Sequence, residues 1–186
     1  MIGFYVFIAL VAVVLIVVVS MYNRLVRLRN TVRSSWSDID VQLKKRHDLI
    51  PALVETVKGY AAHEKGVFEK VTQARAASIN AGTPAEQAKS EGFLRDTLKS
   101  LFAVAEAYPE LKANTNFLQL QSQFQQIEDA IEAARRYYNA VVRDFNILTE
   151  TFPSNLVAST FGFKQAEFFQ LESPAEERKP IKPDFS

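Results

Sequence analysis

The chain has no cysteine, only six glycines and only two histidines in 186 residues. Without thiols there is no disulfide framework, no lipid-modified cysteine, no thiol nucleophile and no thiolate metal site. The surroundings of Gly82 and Gly92 match neither GxGxxG nor GxxxxGKS/T, so no glycine-rich phosphate loop is present. The histidines, His47 and His63, would lie roughly 160° apart around a single helix at about 100° per residue, on nearly opposite faces, which argues against a shared metal site in it. HExxH, Glu-x-x-His and GxSxG spacings are all missing. These absences point away from an enzyme, and no catalytic residue, metal or cofactor is expected.

What the chain does have is one long apolar block. Ile2 to Val19 carries apolar side chains and a single glycine, Gly3. Extended to Tyr22, a helix at about 1.5 Å per residue would run roughly 33 Å, enough to cross a bilayer. No lysine or arginine precedes the block and no small-x-small cleavage site follows it, so it reads as a retained single-pass anchor rather than a cleaved signal. Arg24, Arg27, Arg29 and Arg33 come next, with no acidic residue before Asp38. By the positive-inside rule they sit at the cytoplasmic membrane surface, against anionic headgroups, and the C-terminal domain is cytoplasmic. The expected organisation is an anchor over 1–22, a helical domain over 23–172 and an extended tail over 173–186, where Pro174, Pro180 and Pro183 stand among mixed charges.

The net charge of +1 is unevenly spread: +5 over 23–80, −3 over 81–153 and −1 over 154–186. A basic half beside an acidic half suits helix packing within the chain better than nucleic-acid binding. Apolar periodicity supports this, because helix spacing recurs almost everywhere. Positions 117, 120, 124, 127, 131, 134, 138, 141, 145 and 148 form one unbroken apolar seam. A second runs Val32, Trp36, Ile39, Leu43, Arg46, Ile50, Leu53, Val57, Tyr60, Glu64, Val67, Val71, Ala74, interrupted only by Arg46 and Glu64. These two are expected to form a buried polar element of the seam, with Glu128 or Glu132 available to pair the arginine. A third seam is Leu94, Leu98, Leu101, Ala105, Tyr108.

Boundaries have their own chemistry. Thr83-Pro84-Ala85-Glu86 reads as a capping box with proline in the first turn. Pro109 closes the helix near Tyr108, Asn114 or Asn116 caps the next, and Pro153 ends the long seam. Ser154 then caps a short helix through Thr160, with Gly162 as its stop. The expected fold is all-α: an N-terminal transmembrane helix followed by an up-and-down antiparallel bundle. Its first helix is very long, from about Asn23 to Ser78, roughly 85 Å at about 1.5 Å per residue.

The stretch KKRHDLIPAL (44–53) looks at first like a fragment of an active site. Neighbouring residues on a helix do not face each other, so His47 and Asp48 make no dyad and read as a solvated polar face. Because the apolar phase continues across Pro51, the proline is expected to kink the helix and leave the His47 carbonyl without its helical donor. The alternative is that Asp48 caps a fresh helix with Pro51 in its first turn. Phe161, Phe163, Phe168 and Phe169 form an aromatic cluster too apolar for a free tail. It either docks on the bundle or forms a partner site.

Several segments together resemble one family. They are the N-terminal hydrophobic helix, YNRLVRLRNTV, KKRHDLIPALVETVKGYAAHE, AEAYPELKANTNFLQLQ, IEAARRYYNAVVRDFN and the closing FPSNLVASTFGF followed by EFF. In this order, over nearly the whole chain, they resemble the LemA family of bacterial membrane proteins. Phe145 stands where that family usually shows tyrosine, so no role is expected for a hydroxyl there. The resemblance implies an all-α bundle on a single-pass anchor in the bacterial inner membrane, with no defined activity, cofactor or ligand. Family links to sensor signalling, membrane metallopeptidases and magnetosome membranes attach to no particular residue. The expected function is a non-enzymatic scaffold that contacts the lipid bilayer and assembles with itself or an integral-membrane protein. The alternative is an adaptor regulating a membrane metallopeptidase or sensor kinase.

Overall fold

The computed structural model describes residues 1–170. Among them the chain is all-α: α1 (Ile2–Lys58), α2 (Lys65–Ile79), α3 (Pro84–Glu106), α4 (Pro109–Lys112), α5 (Thr115–Glu150) and α6 (Ser154–Thr160), with no strand. The tail expected over 173–186 lies outside the described residues.

α1 carries the apolar block and continues without interruption through Pro51. Its residues 2–17 are exposed, and an 18-residue window near the N-terminus is long and apolar enough to cross a membrane with none of it buried. A core helix of a water-soluble domain would hide such a surface.

Pro51 removes one helical N–H, a defect that costs about 3 kcal/mol in a helix interior. The side chain of Arg75, on α2, supplies the missing donor: its Nε donates to the His47 carbonyl at 2.7 Å. A hydrogen bond from a charged group contributes about 1.5–3 kcal/mol, so much of the defect is offset. The expected continuation of this helix to Ser78 is not observed. α1 stops at Lys58, and tight turns follow in which Tyr60 and Ala61 both donate to the Val57 carbonyl and Glu64 donates to Ala61. Gly59 sits at this stop. The apolar 3-4 spacing crosses the break, but Tyr60 is 39% exposed, so the spacing there does not mark a buried face.

The other boundaries follow local chemistry. Thr83 accepts from the Glu86 N–H at 3.2 Å while the Glu86 carboxylate accepts from the Thr83 N–H at 3.1 Å, completing the capping box. Asn114 caps α5 through the Phe117 N–H at 3.0 Å. Pro109 does more than close α3, since it opens α4. Ser154 is not a cap: Pro153 holds that position, and the serine hydroxyl donates to the Thr151 carbonyl. Gly162 ends α6 with φ +70°. The Phe163 N–H reaches Ala158 and the Gly162 N–H reaches Ser159, a Schellman closure that needs the left-handed conformation glycine provides.

The described residues form two compact units, one from Met1–Val41 with Ile131–Phe168, the other from Gln42–Ala130 with residues 169–170. In the first, Leu25, Phe145, Val157, Ala158 and Phe163 make the core, flanked by Val18, Met21, Val26, Leu28 and Val32. In the second, Ile50, Leu53, Val57, Val71, Leu94, Leu98, Leu101, Leu111 and Phe117 are central, and α2 packs along α3. All ten residues of the α5 seam are buried or half-buried, as an unbroken apolar stripe requires.

Candidate functional site

The most unusual chemistry lies in the second unit, where Arg46, His47, Ser78, Gln87 and Glu91 are all buried. Three elements supply them. Arg46 and His47 come from α1 just before Pro51, Ser78 from the end of α2, and Gln87 and Glu91 from the start of α3. The turn after Lys58 returns α2 alongside α1, which is how Ser78 meets His47.

Arg46 pairs with two carboxylates. Its guanidinium contacts Glu91, and its Nη1 donates to Glu128 Oε1 at 2.9 Å. Glu128 thus fills the role expected of it or Glu132, whereas Glu132 pairs with Arg136 on the surface. Burial pushes the Arg46 guanidinium down from its ordinary value, opposed by the charge and hydrogen bond of Glu128. Glu64, expected to share the buried seam, is half-buried and stands outside a helix as the residue before α2. The end of α1 is the physical reason, because it breaks the register that placed Glu64 inward.

His47 is not the solvated residue its neighbours Lys44, Lys45 and Asp48 suggest. It is 7% exposed, and its Nε2 lies 2.8 Å from Ser78 Oγ. The Ser78 hydroxyl donates to Glu91 Oε1. With its one proton committed there, the serine oxygen accepts from His47 Nε2–H, which fixes the tautomer. Gln87 Nε2 donates to Ser78 Oγ at 3.2 Å and to Glu91 Oε1 at 2.9 Å. Burial first, then the positive charges of Arg46 and Arg75, push the His47 imidazole down to about 4, with Asp48 opposing. The imidazole is therefore neutral at pH 7. Asp48 itself is exposed and pairs with Lys44 at 3.0 Å, and it caps no helix because α1 continues past it.

A serine, a histidine and a carboxylate in contact invite comparison with a hydrolytic triad, but the polarity is reversed. A nucleophilic serine gives its proton to a histidine whose other nitrogen is held by the acid. Here protons are donated from histidine to serine to glutamate, and Ser78 is 1% exposed. The arrangement behaves as a polar knot closed within the core, in which the buried Arg46 Nε has no hydrogen-bond partner. Among the described residues, no group of three or more metal-ligating side chains is placed to hold an ion.

The sequence contained a signal for this knot. Extending the third seam backwards in the same 3-4 phase, 94, 91, 87, passes through Glu91 and Gln87. The pairing of Ser78 with His47 had no local signal.

The remaining sequence-selected residues lie elsewhere. Arg24, Arg27 and Arg33 are exposed. Arg29 is half-buried, with its guanidinium carbon 4.9 Å from the Phe163 ring centre, a cation–π contact that diverts it from a purely headgroup role. The aromatic cluster divides. Phe163 and Phe169 are buried, while Phe161 and Phe168 are 55% and 37% exposed, so the four do not form one surface.

Comparison with known proteins places these features in context. The family model described as LemA family matches residues 35–185. Magnetosome protein MamQ 2 of Paramagnetospirillum magneticum is 27% identical over 87% of this chain and 69% of its own length. Protein LemA of Metamycoplasma hominis is 29% identical over 88% of this chain and 75% of its own. Magnetosome protein MamQ of Magnetospirillum gryphiswaldense is 24% identical over 87% and 69%.

Proposed function

The chain belongs to the LemA family, and from that premise we propose that it is a non-enzymatic, membrane-anchored helical scaffold that assembles with itself on the bilayer. The observation that carries this reading is α1. One helix holds a fully exposed apolar run of membrane-crossing length and also contributes Leu25, Ile39, Leu43, Ile50 and Leu53 to packed interiors. The exposed run needs a lipid environment, and the folded part is rooted directly in it. The ionisable groups around the buried Arg46 support a structural role, since it is engaged by the buried Glu91 and the half-buried Glu128.

The protein sits in the bacterial inner membrane with its folded part in the cytoplasm, as the arginines after the apolar run favour. Reporter fusions at the C-terminus test the side, and activity of a periplasm-only reporter overturns it. Crosslinking in native membranes and mass measurement in mild detergent test assembly. Multimers are expected, and a strictly monomeric protein removes self-assembly from the reading. Stable recovery of a different membrane protein in place of a second copy would convert the scaffold into an adaptor for that protein.

A further inference from the structure

Thr151 to Phe163 is a run without a single charged residue, and it comprises α6 and its two flanking turns. Part of the run is core: Ser154, Val157, Ala158 and Phe163 are buried. The exposed remainder carries three large apolar side chains, Phe152, Leu156 and Phe161, exposed by 75%, 58% and 55%, beside the uncharged Thr151, Ser159 and Thr160. Single exposed apolar residues are ordinary. Three large ones on a seven-residue helix and its turns, with no charge among them, are not.

Their place in the fold identifies what covers them. The core beneath α6 includes Val18, Met21, Leu25 and Leu28 of α1, the stretch where the exposed apolar run gives way to arginines. Phe161 packs against Tyr22 with the rings tilted at 59° and their centres 4.8 Å apart, and Tyr22 lies at the end of that run, where aromatic residues favour the boundary between headgroups and acyl chains. Arg24 and Arg27 line a shallow groove with Leu28, Ile147, Leu148 and one carboxylate, Asp144, and Ile147 is itself 50% exposed. Apolar side chains flanked by exposed cations match a lipid interface.

We propose that α6 and its turns form a second membrane contact, with Phe152, Leu156 and Phe161 inserted into the lipid interface on the side where α1 leaves the bilayer. The proposal rests on the anchor reading of α1 and adds a specific site to it. α1 then enters the membrane with a lateral foot, which restrains its tilt and rotation.

The chain has no cysteine, so single cysteines can be introduced into the full-length protein and labelled with an environment-sensitive fluorophore. Leu156→Cys and Phe161→Cys report the proposed contact, Val11→Cys reports the apolar run, and Ser100→Cys reports an exposed site on α3. All are reconstituted in vesicles of phosphatidylethanolamine and phosphatidylglycerol, with circular dichroism checking that each remains helical. Labels at 156 and 161 are expected to emit blue-shifted light and to lose intensity with lipids spin-labelled near the headgroup. The label at 11 should respond to deep spin labels, and the label at 100 to neither. Quenching at 11 without quenching at 156 and 161 overturns the foot while leaving the anchor intact. Failure at 11 overturns the anchor and the foot together. If 156 and 161 are unquenched and instead crosslink between copies, a second chain covers α6 and the lipid proposal fails.

Discussion

The two units differ in how much polarity they hold in their interiors. In the unit formed by Met1–Val41 and Ile131–Phe168, the buried polar residues are two serines, Ser35 and Ser154, each satisfied by a backbone carbonyl. Its core is aliphatic and aromatic, with Phe145 against Phe163 at 6.5 Å and Trp36 against Tyr138 at 5.3 Å between ring centres. The other unit buries Arg46, Glu91 and His47 beside an equally apolar cluster. Apolar packing is non-directional and tolerates adjustment. A buried ion pair is costly unless every group is matched, and it penalises any other arrangement. The first unit should therefore tolerate volume-conserving apolar changes and be less sensitive to pH, and the second should be exacting on both counts.

The largest effect is expected from breaking the knot on one side. Arg46→Ala strands the Glu91 carboxylate and should destabilise the second unit by about 3–5 kcal/mol, measured by denaturant unfolding in detergent. The double change Arg46→Met with Glu91→Gln, whose amide oxygen still accepts from Ser78 and Gln87, should recover most of that loss, and an equally unstable double variant would show that charge burial is not the cause. In the first unit, Leu25→Ala leaves a cavity and should cost about 3 kcal/mol, with the same penalty at pH 5 and pH 7.

Acid should separate the units next. The folded-state value of His47, about 4, lies below the ordinary value near 6.5, so the unfolded chain binds the proton first as pH falls. The stabilisation is complete above about pH 6.5, declines toward pH 4 and is lost below it, a span worth roughly 3 kcal/mol at about 1.36 kcal/mol per unit. His47→Gln should flatten the pH profile of the second unit, and an unchanged slope would assign the acid sensitivity to other groups. The smallest effect belongs to the surface: Asp48→Ala removes the exposed Lys44 pair and should change stability by no more than about 0.5 kcal/mol. A larger loss would show that Asp48 also supports the helix around Pro51.

The fold was largely legible because long apolar seams and capping motifs are local in sequence. Thr83 to Glu86 specifies its helix start within four residues, and the α5 stripe specifies its buried face by spacing alone. The knot was much less so, for a geometric reason. On one continuous helix His47 and Ser78 would stand roughly 46 Å apart at about 1.5 Å per residue, whereas their side chains are 2.8 Å apart. That contact depends on a turn at Gly59–Glu64 that carries no proline and no strong cap, and across which the 3-4 spacing persists by coincidence. Arg46 was recognisable as a charge in an apolar seam. His47, flanked by exposed Lys45 and Asp48, was not.

The hydrogen bond from Arg75 to the His47 carbonyl has a consequence for how the chain acquires its shape. Local forces alone cannot complete α1 across Pro51, because the donor that replaces the missing N–H comes from 28 residues further along. During synthesis the segment up to Lys58 emerges first with one acceptor unmatched. It becomes a fully bonded helix only when α2 has been made and has folded back upon it. The last two turns of α1 and the whole of α2 should therefore order together, as one cooperative step.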